Sequence, residues 1–176
     1  NKELFADFKK LKTLNIGKIQ NYIPIYSVFF NFKDNLNINL NHKNYLTSIQ
    51  DNESLPDNDN EEQFAEKIFN ITCNGESRKS FLKLCPVFDM AKFLVGKYDM
   101  KDEIYYKLPT NEETAHKDVI DVNNICYVDS VFSFLSSQLL NQYGFINALD
   151  YYGSFLSIIH NFRHDISEDV DYYMES

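Results

Sequence analysis

The chain has 176 residues, of which 44% are hydrophobic and 15% aromatic, and its formal net charge is −9. Such a chain can bury a core, which excludes global disorder, and its length suits one domain or one lobe of a larger protein. The negative charge argues against non-specific nucleic-acid binding, and no stretch approaches the roughly 20 apolar residues of a membrane-spanning helix. We therefore expect neither nucleic acid nor membrane as a partner.

The N-terminal third is predicted to contain one helix followed by two strands. Apolar residues at helical spacing predict an amphipathic helix over Lys2–Leu14. An aromatic and β-branched run that follows a proline predicts an edge strand over Ile25–Asn31. Alternation of Asn with apolar residues predicts a second strand over Asn35–Asn41, joined to the first by a turn at residues 33–34.

An acidic segment and a hairpin follow. Residues 50–62 combine six acidic residues with a proline and several Asn, which indicates an exposed flexible loop. The segment Gln63–Leu84 contains Asn74-Gly75, a dipeptide typical of tight hairpin turns. The second strand of this hairpin is expected over Ser80–Cys85.

The second half of the chain is predicted to be mainly helical. A short helix is expected over Phe88–Tyr98, and a polar connection over residues 99–118 with a short strand at Ile104–Leu108. The strongest helical pattern covers Asp121–Gly144, and Phe145–Ile159 is expected to form two strands around a turn. The residues expected to face inward from the two helices are Met90, Phe93, Leu94, Val128, Phe132, Leu135, Leu139 and Tyr143.

These elements define an α+β class. The expected arrangement is a twisted antiparallel sheet packed against the one long helix, with a short N-terminal helix, and residues 1–176 forming a single domain or lobe. Cys73, Cys85 and Cys126 form no CxxC pair and are interpreted as free thiols in a reducing compartment. His160 and His164 have i,i+4 spacing but no evident third ligand, so no metal site is predicted.

Lys83 is the residue with the most interesting chemistry. It lies between two leucines in the predicted strand, so its side chain points to the opposite face, either to solvent or into a polar cleft. The scattered glycines form neither GxxxxGK nor GxGxxG, so a backbone cradle for phosphate is not indicated.

Three segments of the chain resemble a family of giant-virus protein-kinase-like proteins. SFLKLCPVFD at Ser80–Asp89, with KFLVGKY at Lys92–Tyr98, is similar to that family's FVKFSPLLDP and GKY segments. The helix Tyr127–Leu140 resembles its YVDGFFSYLSSQLL segment. Leu149–Leu156, followed by Asp169–Tyr172, resembles DFYGSFLGI and DDIEYL.

The resemblance covers residues 80–176 and implies the N-terminal lobe of a serine/threonine protein kinase, with ATP and magnesium as ligands. Lys83 would match the strand lysine that contacts ATP phosphates and is held by a Glu from the following helix. Because this helix carries no Glu, Asp129 and Gln138 are the candidate partners of Lys83. The glycine-rich loop, the catalytic loop and the DFG metal ligands are missing from the sequence, so no residue is assigned as catalytic and we expect this chain alone to be inactive.

The expected partner is accordingly a C-terminal kinase-like lobe or another protein, in host cytoplasm or in a virion. The alternative interpretation is a non-catalytic viral structural or protein-interaction domain. The aromatic richness, the acidic composition and the missing motifs favour that alternative.

Overall fold

Two small antiparallel sheets and one long helix organise the chain. The computed structural model describes residues 2–30, 40–52, 68–110 and 115–162. The helices are α1 (Lys2–Lys10), α2 (Tyr26–Phe29), α3 (Met90–Leu94), a 3₁₀ helix (Glu103–Tyr106), α4 (Lys117–Ile120) and α5 (Ile125–Tyr143). The strands are β1 (Ile16–Gln20), β2 (Leu46–Gln50), β3 (Ile68–Cys73), β4 (Glu76–Phe81) and β5 (Leu156–Ile159).

The predicted hairpin is present as β3 and β4 in a three-stranded sheet of order β2-β3-β4. Asn74 and Gly75 form its turn with φ of 52° and 81°, the left-handed conformations that a tight two-residue turn requires. The pairing extends from Cys73 opposite Glu76 to the end of β4, so the second strand lies earlier than the predicted Ser80–Cys85. Lys83 therefore follows the strand instead of lying within it.

The second sheet pairs β1 with β5, two strands from opposite ends of the chain. Two strands around a local turn were expected over Phe145–Ile159, but the structure forms one, and its partner is β1. Gly17 lies in β1 where a Cβ atom would come within 2.5 Å of the His160 ring, so close packing of the two strands depends on glycine at this position.

The helix that packs on the strands is α1, which corrects the prediction that the long helix covers the sheet. One core cluster joins α1 and the segment after it to three strands through Leu4, Phe8, Leu11, Leu14, Ile16, Ile49, Phe69, Ile71 and Cys73. A second cluster contains the buried side chain Tyr127 of α5 together with Ile23, Ile25, Tyr26, Ala115, Val119 and Leu156. The long helix therefore packs mainly against connecting segments, α2, α4 and β5.

The long helix is confirmed, but its predicted inward stripe is wrong. Gly144 follows it with φ of 69°, as expected for the residue that ends a helix. Tyr127 and Ser137 are buried, whereas the predicted stripe (Val128, Phe132, Leu135, Leu139 and Tyr143) is exposed. The helix is apolar on two opposite sides, and the sequence pattern alone did not distinguish which side meets the core.

Three further expectations are corrected in the connecting segments. The predicted strand Ile25–Asn31 contains α2 instead, because a turn begins at Pro24, whose carbonyl accepts a hydrogen bond from the Ser27 N–H. The predicted strand Ile104–Leu108 is replaced by the 3₁₀ helix, which Asp102 caps. Helix α3 is present, but it has no buried residue, so the prediction that it faces inward is wrong.

Some predicted features lie outside the described residues. They include residues 35–39 of the predicted strand Asn35–Asn41, the turn at residues 33–34, and residues 53–62 of the acidic loop. They also include residues 63–67 of the predicted hairpin, His164, and the segment Asp169–Tyr172.

Candidate functional site

Lys83 reaches from the segment after β4 to the long helix. Its Nζ atom donates a hydrogen bond to Oδ2 of Asp129 over 2.8 Å, although the two residues are 46 positions apart in sequence. Asp129 lies in the second turn of α5. The side chains are 61% and 39% exposed, so the pair is accessible to a ligand.

Two further links hold this segment against the start of α5. Cys85 and Cys126 form a disulfide with their Cα atoms 5.7 Å apart. Asn124 caps the helix by accepting from the Cys126 N–H, and its side-chain amide donates to the Val87 carbonyl over 2.9 Å. The position of Lys83 relative to Asp129 is thus set by a covalent bond and by hydrogen bonds on the same side of the helix.

The disulfide corrects the interpretation of all three cysteines as free thiols. Only Cys73 is free, and it is fully buried in the core, where burial raises the pKa of its thiol. The pairing of Cys85 with Cys126 spans 41 residues, and nothing in the local sequence indicates it.

The structure does not bring Gln138 to Lys83. Gln138 lies nine residues beyond Asp129 on α5, which corresponds to about 13 Å along a helix axis. Its side-chain oxygen accepts a hydrogen bond from Gln142 over 2.7 Å, and its amide group donates to Ser137 over 3.4 Å. Of the two candidate partners, Asp129 alone contacts the lysine.

The accessible ammonium group of Lys83 suits an anionic ligand. Exposed ion pairs contribute only about 0.2–1 kcal/mol to stability, so the pair with Asp129 is a weak structural restraint. Replacing the Asp129 carboxylate by a phosphate oxygen as the partner of Lys83 therefore costs little free energy. A lysine ammonium has three donors, and one is used by Asp129, so two remain for oxygen acceptors of a ligand.

The described residues do not form a ready-made magnesium site. Across residues 2–30, 40–52, 68–110 and 115–162, no group of three or more His, Cys, Asp or Glu side chains could hold a metal ion. Magnesium at a nucleotide site is usually held by one or two carboxylates together with phosphates and water, and the carboxylate beside Lys83, that of Asp129, is already paired with the lysine. No step involving magnesium is therefore assigned to this part of the chain.

Sequence patterns did not reveal an apolar cavity between α2 and α5. Its volume is about 250 Å³, and its lining includes Tyr26, Phe29 and Phe30 from the side of α2 and Val131, Phe134 and Leu135 from α5. Neither Lys83 nor Asp129 lines it. Because the lining is almost entirely apolar, this cavity does not suit a phosphate group.

His42 packs beside this cavity. Its ring contacts Tyr151, with centroids 5.2 Å apart, and Phe134, with centroids 6.4 Å apart. The buried Nε2 atom has no hydrogen-bond partner among the described residues, and burial lowers the pKa of the ring. Burial therefore favours the neutral form of the His42 ring.

Asp150 connects the long helix to the three-stranded sheet. Its carboxylate accepts from the Asn141 side chain over 2.9 Å and from the Asn44 side chain over 2.6 Å, and it lies 4.0 Å from Arg78. The carboxylate also accepts from the Tyr151 N–H over 3.0 Å. These contacts give Asp150 a structural role in the segment that follows α5.

No protein-family model, curated protein or solved structure matches this chain. None of the helices in the described ranges is long and apolar enough to cross a membrane. The chain is a mixed α/β domain with small antiparallel sheets and a long helix.

Proposed function

We propose that this chain is the N-terminal lobe of a protein-kinase-like protein and that Lys83 contacts a nucleotide phosphate. The observation that carries this proposal is the Lys83–Asp129 ion pair, which joins the segment leaving a β-hairpin to an acidic residue of the long helix. Protein kinases use a related arrangement, in which a lysine within a strand contacts ATP phosphates and pairs with a Glu of the next helix, whereas Lys83 lies two residues after its strand and pairs with an Asp.

The chemistry that these residues support is phosphate binding and positioning. Asp129 orients the Lys83 ammonium, and the exposure of both side chains leaves room for phosphate oxygens. Phosphoryl transfer also needs a base and metal-binding carboxylates, which this site does not contain. A second lobe would have to supply them, so the chain alone binds nucleotide without turning it over.

A nucleotide titration with a matched control tests the proposal. We expect Lys83→Ala to weaken ATP binding roughly ten- to a hundredfold, because a hydrogen bond to a charged group contributes about 1.5–3 kcal/mol. Lys92→Ala is the control, since Lys92 forms a similarly exposed ion pair with Asp89 at 3.4 Å. Equal affinities of the wild type and Lys83→Ala, or equal losses in the two variants, would contradict the proposal.

A second candidate function is protein interaction without catalysis, and the exposed apolar side of α5 favours it. Phe132, in the middle of that side, is 70% exposed. We expect a partner protein to form a cross-linked product with the wild type and no such product with the Phe132→Asp variant. An identical set of cross-linked species in the two proteins would contradict this function.

A further inference from the structure

The long helix carries an apolar surface, here called the outer face of α5, that no described segment of the chain covers. It consists of Ile125, Val128, Phe132, Leu135, Leu139 and Tyr143, which are between 48% and 79% exposed. The opposite side of the helix holds the buried residues Tyr127 and Ser137. Leu135 also lines the cavity beside α2, and the other members of the outer face lie away from the side with which α5 packs on its own core.

The outer face has the spacing of a coiled-coil seam. From Ile125 to Leu139 its members follow one another at intervals of three, four, three and four residues. Alternation of three and four places side chains on one narrow stripe that meets a second helix by knobs-into-holes packing. The spacing thus indicates a helix as the occupant of the face.

The apolar area is large enough for a stable pair. Three further apolar residues follow the helix, and Phe145, Ile146 and Leu149 are 51%, 85% and 82% exposed. The six residues of the outer face alone present roughly 800 Å², which matches the about 800 Å² per partner of a standard interface and exceeds the about 300–600 Å² of the largest patch on an ordinary monomer.

Charge favours contact between two copies at this face in particular. The chain carries a net charge of −9, so most of its surface repels a second copy. On α5 the sole charged residue is Asp129, at the edge of the face, and Lys83 neutralises it. Two outer faces can therefore meet without bringing unpaired carboxylates together.

We infer that the outer face of α5 binds the outer face of a second copy of this chain in an antiparallel, twofold-symmetric pair. A twofold axis between Phe132 and Leu135, at the middle of the helix, sets Phe132 opposite Leu135 of the second copy. The same register sets Val128 opposite Leu139 of the second copy. Each of these pairs joins a leucine of one copy to a Phe or Val of the other. The same surface therefore complements itself across the twofold axis. This inference deepens the interaction function of α5 and does not depend on nucleotide binding.

Sedimentation velocity over a range of concentrations tests for the pair. We expect the wild type to form a dimer, and Phe132→Asp to raise its dissociation constant at least about 30-fold, as a central interface residue does. The control is Tyr45→Asp, which changes a 53% exposed aromatic residue outside the face and should leave the dimer intact. A wild type that stays monomeric at about 0.1 mM, or a dimer that Phe132→Asp leaves unchanged, overturns the inference.

Cysteine cross-linking tests the orientation. In the antiparallel register, a mixture of Val128→Cys and Leu139→Cys chains forms a disulfide between the two variants, whereas neither variant alone does. Cross-linking of each variant with itself would indicate parallel helices and overturn the register. If the wild type is monomeric and Phe132→Asp still abolishes cross-linking to a different protein, self-association fails while the interaction function stands.

Discussion

The bond between Cys85 and Cys126 provides the sharpest test of how the candidate site is held together. It joins the segment that carries Lys83 to the first turn of α5, close to Asp129. Replacing both cysteines by alanine removes the cross-link and leaves the hydrogen bond from Asn124 to the Val87 carbonyl and the Lys83–Asp129 pair to hold the segment in place.

The expected loss follows from the length of chain that the bond closes. For a sequence separation of 41 residues, the chain-entropy model gives about 4 kcal/mol at 25 °C, which is an upper bound because denatured chains retain some structure. A loss of that size is a large share of the ~5–15 kcal/mol stability of a typical domain. We therefore expect a clear fall in the urea concentration at the unfolding midpoint.

Urea unfolding with and without reductant measures this effect. The wild type should lose stability when a reductant is added, and Cys85→Ala/Cys126→Ala should match the reduced wild type and show no response to reductant. Equal stability of the oxidised wild type, the reduced wild type and the double variant would refute the reasoning, because the bond would then make no difference to the fold.

Three other substitutions probe the neighbouring structure. Asn124→Ala removes the cap of α5 and hydrogen bonds to Val87 and Asp118, so we expect about 1–2 kcal/mol of destabilisation in urea unfolding. Gly144→Ala places a Cβ at φ of 69° and should cost about 1 kcal/mol in the same assay, and no loss would contradict the left-handed cap. Burial lowers the pKa of His42, so the unfolded chain takes up a proton first as pH falls below about 6.5, and stability should decrease there. His42→Phe should remove that part of the pH dependence, and identical profiles of the two proteins between pH 8 and 5 would argue against a buried neutral ring.

Local signals in the sequence predicted the elements whose physics is local. The hairpin of β3 and β4 follows from Asn74-Gly75, which fixes both the turn and the register of the strands beside it. The existence of α5 and its end at Gly144 follow from a long helical pattern and a C-terminal glycine.

Features that depend on distant parts of the chain were not predictable in this way. The pairing of β1 with β5 places Ile16 opposite Ile159, and no short-range pattern indicates that contact. The disulfide could not be predicted either, because the 41-residue spacing of Cys85 and Cys126 does not indicate that they pair. The side of α5 that faces the core could not be chosen either, since the sequence does not show what the helix packs against.

The candidate site was predicted in part. Lys83 was singled out by its position between two leucines and was given a phosphate-binding role by the resemblance to kinase-like proteins, and the structure places Asp129 beside it. Gln138 was an equal candidate from sequence, but it lies more than two helical turns from Asp129 and bonds to neighbours on its own helix. The distinction required the register of α5 relative to the hairpin, which depends on packing between segments.

The most direct test of the proposed function is covalent labelling with an acyl-phosphate derivative of ATP, which transfers its acyl group to lysines that lie beside the bound phosphates. Mass spectrometry would measure labelling of Lys83 and of the control residue Lys92, with and without excess ATP. We predict strong labelling of Lys83 that excess ATP suppresses, and weak labelling of Lys92 that ATP does not change. Equal labelling of both lysines without competition by ATP would contradict the assignment of Lys83 to a nucleotide phosphate.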